Sequence, residues 1–370
     1  MKYYLLISIF ENNFHRGAKN TTKAAGIRID AEKISGGYYM KMSKHRLLSL
    51  VLTFTITIAA SFGVFALAND TTIEIETRPN TAPIAENIEL VTFRGVEAHG
   101  SFKALDPDGD LLTFEITAVP KKGSVAPGNG AAFIYTPNAN AKGKDSFTYV
   151  AVDSNGGVSS SATVTIEIKK QSAKATYSDM NGNPAHYAAL VLSEAGIFTG
   201  EQLGGEFFFR PEETVSRGEF LAMCLKLSET KPIAGITRTG FFDDGDIPAW
   251  TKPYVSAAVM SGFITGSRNN DGQLVFNSNN PITFAQAAVI LNNTLGLTDV
   301  AAVTAIDSEA VPAWAQGASM NLAACNILPS GLSGISDDTI TRKNAAEMLL
   351  ASASVLGSRS GGGSLLSWAK

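Results

Sequence analysis

Hydrophobic and polar positions change rhythm along the chain. Between 79 and 168 they alternate in short runs: 111–116 (L-L-T-F-E-I), 133–135, 147–152 (F-T-Y-V-A-V) and 162–168 (A-T-V-T-I-E-I). These runs are rich in β-branched and aromatic residues and are bounded by Gly, Pro, Asn or Asp. Period-two alternation with such punctuation predicts strands, and several in about 90 residues predict an antiparallel β-sandwich. Beyond residue 177 the apolar spacing becomes helical, as in Phe220, Met223, Cys224 and Leu227, which predicts a helix with a buried stripe. Nearer the N-terminus, Lys41, Lys44 and Arg46 precede an apolar stretch that ends in Ala66-Leu67-Ala68. That order predicts a cleaved export signal over 40–68. An uncleaved anchor is the alternative, because the stretch approaches the ~20 residues that span a bilayer.

The helical half repeats itself with a period near 60–65 residues. Its copies open Y-S-D-M-N-G-N-P-A-H-Y (177–187), F-F-D-D-G-D-I-P-A-W (241–250) and A-I-D-S-E-A-V-P-A-W (305–314). A first helix follows and ends at E-A-G-I-F-T-G (194–200), M-S-G-F-I-T-G (260–266) or A-C-N-I-L-P-S-G (324–331). Gly196, Gly262 and Asn326 share one place, as expected where a helix stops on a left-handed residue. A second helix opens at V-S-R-G-E-F (215–220), I-T-F-A-Q-A-A (282–288) and I-T-R-K-N-A-A (340–346). Ser216 with Glu219 and Thr283 with Gln286 fit a capping box; Thr341 with Asn344 is a weaker version. A pair of such helices buries little surface alone, so three are expected to pack as one unit.

The recurring Asp, Pro-Ala and aromatic of each opening, the Gly or Asn that ends each first helix, and the closing Ser216-Arg217, Thr283-Phe284 and Thr341-Arg342 resemble three S-layer homology repeats, over 177–229, 240–298 and 305–357, a family whose pattern is Phe-x-Asp, Trp-Ala, apolar-Gly-apolar-x-Gly and Thr-Arg-Ala-Glu. The resemblance implies an all-α pseudo-threefold bundle that holds exported proteins on bacterial envelopes. Such repeats bind pyruvylated secondary cell-wall polysaccharide, without covalent chemistry. In the alternating half, Asn80-Thr81-Ala82-Pro83, Asp106-Pro107-Asp108-Gly109-Asp110, Tyr135-Thr136-Pro137, the 143–149 run and Asp153-Ser154-Asn155-Gly156-Gly157 resemble bacterial cadherin-like or Ig-like modules. Those serve as spacers or adhesive units. The expected fold is multidomain: an all-β sandwich, a hinge over 169–176, the all-α bundle, and a flexible tail over 358–370.

Composition narrows the function. The chain has 370 residues, 45% hydrophobic and 17% charged, a net charge of −4 and two cysteines. A disulfide framework and a cysteine zinc site are excluded, and Cys224 and Cys325 are expected as buried free thiols. The first 68 residues hold nine of the 30 basic and three of the 34 acidic residues, so their removal takes the net charge to −10. Such a surface repels polyanions, which argues against nucleic acid and requires local cations for any anionic ligand. Residues 1–39 precede the signal. Ser35-Gly36-Gly37-Tyr38-Tyr39-Met40 can be encoded by a purine-rich run just before an ATG, so synthesis is expected to start at Met40.

The resemblance places polysaccharide contacts at Ser216, Arg217, Thr341 and Arg342, with Tyr187, Trp250 and Trp314 as sugar-stacking aromatics. A helix start offers free amides, and an Arg there can pair bidentately with a carboxylate such as a pyruvate ketal. Phe284 holds the Arg place in the second copy, so at most two anion sites are expected. The hydroxyl residues also suit plain helix caps, and the tryptophans also suit a core. Asp106, Asp108 and Asp110 alternate and could gather around calcium, with Asp145 and Asp153 as further ligands. A plain Asp/Gly turn is the alternative. His99 and His186 stand outside any recognisable motif. No stretch remains for a catalytic domain, so the expected function is a non-catalytic surface protein. An adhesin whose sandwich recognises the ligand is the competing reading.

Overall fold

The computed structural model describes residues 31–34, 37–40, 79–172, 176–298, 311–329 and 338–359. Nearly all of the export signal, most of 1–39 and residues 360–370 of the tail lie outside these. The chain divides into two compact units, Met1–Arg78 and Pro79–Lys370. In the first, β1 (Ala31–Ile34) pairs antiparallel with β2 (Gly37–Met40). Among the described residues no helix is long and apolar enough to cross a membrane.

The second unit begins as the expected sandwich. One sheet has the order β4 (Ile88–Phe93), β11 (Ala162–Lys169), β10 (Gly143–Asp153), β7 (Leu112–Ala118), and faces β5 (Ala98–Ser101), β9 (Ala132–Pro137), β8 (Gly123–Pro127). A short pair, β3 (Ile84–Ala85) with β6 (Ala104–Leu105), flanks them. Alternation explains the burial: in β11 every second residue, from Ala162 to Ile168, is buried. Phe102, Phe133, Phe147 and Tyr149 fill the space between the sheets. The sandwich is not wholly antiparallel, because β4 runs parallel to β11. A short strand without strong alternation carries no signal of its partner's direction, and β4 went unpredicted for that reason.

The helical half supplies α1 (His186–Glu194), α2 (Arg217–Leu227), α3 (Lys252–Met260), α4 (Phe284–Leu295), α5 (Gln316–Ala324) and α6 (Arg342–Arg359). Ser358 and Arg359, expected in a flexible tail, complete α6. The first helices end alike. Gly196, Gly262 and Asn326 have φ of 66°, 73° and 55°. The next N–H reaches back to Leu192, Ala258 or Leu322 at 2.9, 2.8 and 2.8 Å. Between the two helices of the first two stretches stands a small hairpin: β12 (Glu201–Leu203) with β13 (Glu206–Phe208), and β14 (Ser267–Arg268) with β15 (Leu274–Val275). The opening Asp of each stretch fixes the exit from its hairpin. Asp179 accepts from the N–H groups of Phe209 and Arg210 at 2.8 and 2.6 Å. Asp243 accepts from those of Phe276 and Asn277 at 2.9 and 2.7 Å.

Packing follows a cyclic order. Helix α3 lies on α2, α5 on α4, and α1 returns to α6. At the centre, Val215 N–H donates to the Ile340 carbonyl, Ile340 N–H to Ile282, and Ile282 N–H to Val215, at 3.3, 3.0 and 2.9 Å. This closed ring sits immediately before α2, α4 and α6. Helix α2 is buried on nearly all sides rather than along one stripe, with Phe220, Leu221, Ala222, Cys224, Leu225 and Leu227 all at 4% exposure or less.

The sandwich does not hang from a free hinge. Phe93 and Val96, on and just after β4, are each 5% exposed within the helical core. The Phe93 ring lies 5.1 Å from that of Tyr187. Lys169, expected in the hinge, ends β11, and its carbonyl accepts the Arg94 N–H at 3.1 Å. The Ser172 N–H donates to the Glu194 carboxylate.

Candidate functional site

The residues before α2 and α4 behave as caps. Ser216 Oγ accepts the Glu219 N–H at 3.3 Å, and the Glu219 carboxylate accepts the Ser216 N–H at 3.0 Å, a complete capping box. Thr283 makes only half of one: its Oγ1 accepts the Gln286 N–H at 3.3 Å, while the Gln286 side chain lines a groove. At α6 the Asn344 Oδ1 accepts the Thr341 N–H at 3.1 Å and its hydroxyl at 2.8 Å.

The expectation of free amides at these helix starts is not met. Arg217 and Gly218 N–H donate to the carbonyls of Asn280 and Ser278 at 2.9 and 2.8 Å. Arg342 and Lys343 N–H donate to Glu213 and Pro211 at 2.8 and 3.0 Å. The neighbouring stretch therefore satisfies the amides an anion would have used, and the side chains are left to do any binding. This close approach also accounts for Gly218. A Cβ there would collide with Ser278 Oγ and stand 3.1 Å from Thr251 Cγ2.

Arg217 lies in a groove of about 450 Å³ bordered by Thr265, Ser267, Asn277, Asn280, Gln286 and Trp314. Phe263, Ile264, Val289 and Asn293 line an adjoining recess of about 130 Å³ that shares Arg217 and Trp314. Among the described residues no carboxylate borders either space. The guanidinium carbon is 5.3 Å from the Phe276 ring centre. Its Nε is buried without a hydrogen-bond partner. Burial pulls its pKa below the usual arginine value, and no neighbouring acid offsets this. Arg217 is thus a desolvated cation facing an uncharged, amide- and hydroxyl-rich groove with an aromatic wall. Trp314 is 59% exposed, so its ring face is available.

Arg342 is held differently. Its Nε donates to the Phe209 carbonyl at 2.6 Å and Nη2 to the Thr199 carbonyl at 3.0 Å. The guanidinium lies 4.4 and 5.0 Å from the rings of Phe198 and Phe209. Burial lowers its pKa, while Glu219, Glu213 and Glu201 act against the shift. Phe284, at the same place in the middle stretch, is 1% exposed and offers no charge. The three aromatic candidates also separate. Trp314 shares the groove with Arg217. Trp250 is 53% exposed with its ring 6.5 Å from Tyr254. Tyr187 packs on Phe93, and burial raises its pKa to about 12.

In the sandwich the five acidic candidates split as well. Asp106, Asp110 and Asp153 bring carboxylate oxygens within 4.8 Å of one another. Asp108 instead accepts the Thr81 N–H at 2.6 Å. Asp145 accepts the N–H groups of Lys121 and Lys122 and the Tyr135 hydroxyl at 3.0, 2.8 and 2.8 Å. Burial alone would raise the Asp145 pKa, but these hydrogen bonds hold it below the usual carboxylate range. Sequence reasoning missed Asn80 and Asn155 as neighbours of the trio, because their proximity depends on how the sandwich end closes. It also left His99 and His186 unassigned. His99 Nε2 lies 3.7 Å from Glu97, and Glu97 acts on His186 as well. Burial lowers the pKa of both histidines, with Glu97 opposing at His99 and Asp179, then Glu97, opposing at His186. Cys224 is buried and Cys325 partly so; both are free.

Residues 80–170 match the bacterial cadherin-like domain family, and residues 176–221 the S-layer homology domain family. A curated relative, the surface-layer 125 kDa protein of Lysinibacillus sphaericus, is 28% identical over 124 residues. That alignment covers 33% of this chain and 10% of the relative, so the chain spans about a tenth of that protein's length. Among solved structures, the SrpA adhesin of Streptococcus sanguinis is similar at 18% identity, covering 28% of this chain and 64% of that one, with a TM-score of 0.22. Fibronectin(III)-like modules of Clostridium thermocellum CbhA are similar at 15% identity, over 27% of this chain and 53% of that one, with a TM-score of 0.20. Scores this low carry no argument.

The chain therefore contains a bacterial cadherin-like domain and an S-layer homology domain, and is a cell-surface protein associated with the S-layer.

Proposed function

We propose that this is a non-catalytic protein moored to the bacterial wall by three S-layer homology repeats in a pseudo-threefold bundle, with the Arg217 groove gripping an acidic cell-wall glycan. The cyclic helix order and the closed ring of Val215, Ile282 and Ile340 support the threefold reading. The observation that carries the binding site is the guanidinium of Arg217, whose Nε is buried without a hydrogen-bond partner and which no carboxylate borders among the described residues. An unpaired desolvated charge is costly, and a ligand carboxylate relieves that cost while gaining charge-assisted hydrogen bonds. Asn277, Asn280 and Gln286 offer amide groups to sugar hydroxyls, and Trp314 offers a ring face to the apolar side of a sugar. A pyruvylated secondary cell-wall polysaccharide fits these features. The sandwich, fused through Phe93 and Val96 to the helical core, serves as the displayed spacer or adhesion module.

The test is retention of the full chain on purified wall polysaccharide, before and after mild acid removal of pyruvate. Depyruvylation should abolish retention of the wild type. Equal retention on both glycans would overturn the carboxylate–Arg217 pairing.

A further inference from the structure

Lysines gather where β10 begins. Lys142 and Lys144 flank Gly143, and both are exposed. Lys121 and Lys122, between β7 and β8, come to the same place. Their N–H groups donate to the Asp145 carboxylate at 3.0 and 2.8 Å, and Lys122 Nζ donates to the Lys142 carbonyl at 2.9 Å. The pairing of Gly143 with Ile168 brings the end of β11 alongside, followed by the exposed Lys170. The nearby acids are already engaged. Asp145 is 7% exposed and accepts the Tyr135 hydroxyl as well as the two amides. Glu167, across from Lys144 on β11, lies 3.8 Å from Lys169. None of Lys121, Lys122, Lys142, Lys144 and Lys170 is in an ion pair among the described residues.

Five uncompensated cations at one end of the sandwich stand against the chain's average, since the residues beyond 68 carry a net charge of −10. Clustered charge of one sign draws the opposite sign from solution. The backbone beneath is fixed, because the Asp145 carboxylate ties the 121–122 segment to the start of β10. The type of cation narrows the partner. An ammonium is a compact point charge with three donors and no preferred plane, which suits the several oxygens of a phosphate. The planar fork that pairs best with a carboxylate belongs to arginine. No sugar platform accompanies the lysines: Tyr135, the ring beneath them, is fully buried. Position matters too. Lys169 pairs with Phe93, which is buried in the helical core, so the lysines stand at the end of the sandwich that continues into the helical half.

We propose that the face formed by Lys121, Lys122, Lys142, Lys144 and Lys170 binds a flexible phosphodiester polymer of the cell envelope. Contact is by charge alone, one ammonium to one phosphate, so binding releases counterions and weakens steeply with salt. Flexibility is required by the rest of the molecule. A stiff duplex would carry its flanking phosphates past an acidic surface, whereas a flexible chain bends away from it. The face shares no residue with the Arg217 groove. It adds a second, salt-sensitive hold on the envelope, and it stands or falls independently of the acidic glycan proposed for that groove.

The experiment is retention of the full chain on immobilised poly(glycerol phosphate), beside a DNA duplex of equal phosphate content. The wild type should be retained on the polymer and weaken roughly tenfold or more between about 50 and 200 mM salt. Lys121→Gln, Lys142→Gln and Lys144→Gln together should lower affinity at low salt by about tenfold or more. The three amines make no hydrogen bond or ion pair among the described residues, so that variant should melt like the wild type. Lys122 is kept, because its ammonium holds the Lys142 carbonyl. Lys103→Gln, Lys231→Gln and Arg238→Gln together remove the same charge elsewhere and should bind like the wild type. Arg217→Ala should bind the polymer undiminished, which separates this face from the glycan groove. A wild type not retained at low salt, an equal loss in the two triple variants, or equal retention on the duplex would each overturn the assignment.

Discussion

Arg217 and Arg342 open α2 and α6 from the same place in their stretches, yet their surroundings assign them opposite work. Arg342 finds two backbone carbonyls, from Phe209 and Thr199, and two aromatic rings. Thr265 and Phe276 stand at the matching places around Arg217, but no hydrogen bond joins them to it. One ring replaces two, and Nε is left bare. The same motif thus seats one guanidinium as a structural strut and the other as an unsatisfied cation facing an open groove. A guanidinium's role here is decided by whether neighbouring carbonyls have already claimed its donors, which the Thr-Arg or Ser-Arg spelling does not encode.

Exchanging each arginine for alanine tests that contrast most directly. Arg217→Ala should weaken glycan retention by roughly ten- to a hundred-fold, the value of a charge-assisted hydrogen bond of about 1.5–3 kcal/mol. Its melting temperature should stay level or rise, since a desolvated unpaired charge is removed. Arg342→Ala should show the reverse. It should cost about 2 kcal/mol in urea unfolding, because two carbonyls lose charged donors and two rings lose a cation. Retention by the fraction still folded should hardly change. Arg342→Lys should recover only part of the stability, because an ammonium cannot span both carbonyls as a planar fork does. If both variants lost retention equally at full stability, the two positions would be equivalent and the contrast would fail.

A smaller effect separates the tryptophans. Trp314→Ala should reduce glycan affinity several-fold, by about 1 kcal/mol, through loss of the groove's aromatic wall. Trp250→Ala should leave the Arg217 groove unaffected, as measured by titration with the same glycan.

The smallest effect distinguishes the groove from the junction with the sandwich. Arg217 remains charged throughout the working range, so retention should be flat between pH 8 and pH 5, roughly the span over which histidines titrate. Stability should not be flat. His99 and His186 have folded pKa values below the ordinary 6.5, so the unfolded chain binds more protons as the pH drops. The stability they contribute is complete above pH 6.5 and is lost as the pH falls through their depressed folded values. Melting temperature against pH should therefore decline on the acid side of 6.5, and His186→Gln should flatten part of that slope.

Much of the fold was legible because the signals are local. Gly196, Gly262 and Asn326 marked the helix ends, since few residues accept a positive φ. Ser216 and Thr341 marked helix starts for a similarly short-range reason. The β10 and β11 alternation was clear, while β4 and β5 were too short or too weakly patterned to declare themselves. The site was less legible. Phe284 took the Arg place in the middle stretch and is buried, but Arg342 read the same as Arg217. Tyr187 read as a sugar platform and is a packing residue. Its partner Phe93 lies 94 residues upstream in sequence, beyond the reach of any local pattern.

What the chain's own order of residues determined is the set of parts: an alternating half that makes sheets, a thrice-repeated helical half, and the place of each cap, turn and arginine. Those depend on backbone preferences and side-chain periodicity, which act over a few residues. Only the tertiary structure decided which neighbours meet at each place. The cyclic packing brings carbonyls to Arg342 and leaves Arg217 bare, and closure of the sandwich sets Asp106, Asp110 and Asp153 together while sending Asp108 and Asp145 elsewhere. Burial and hydrogen-bond satisfaction arise between distant segments, so they become definite only once those segments have packed.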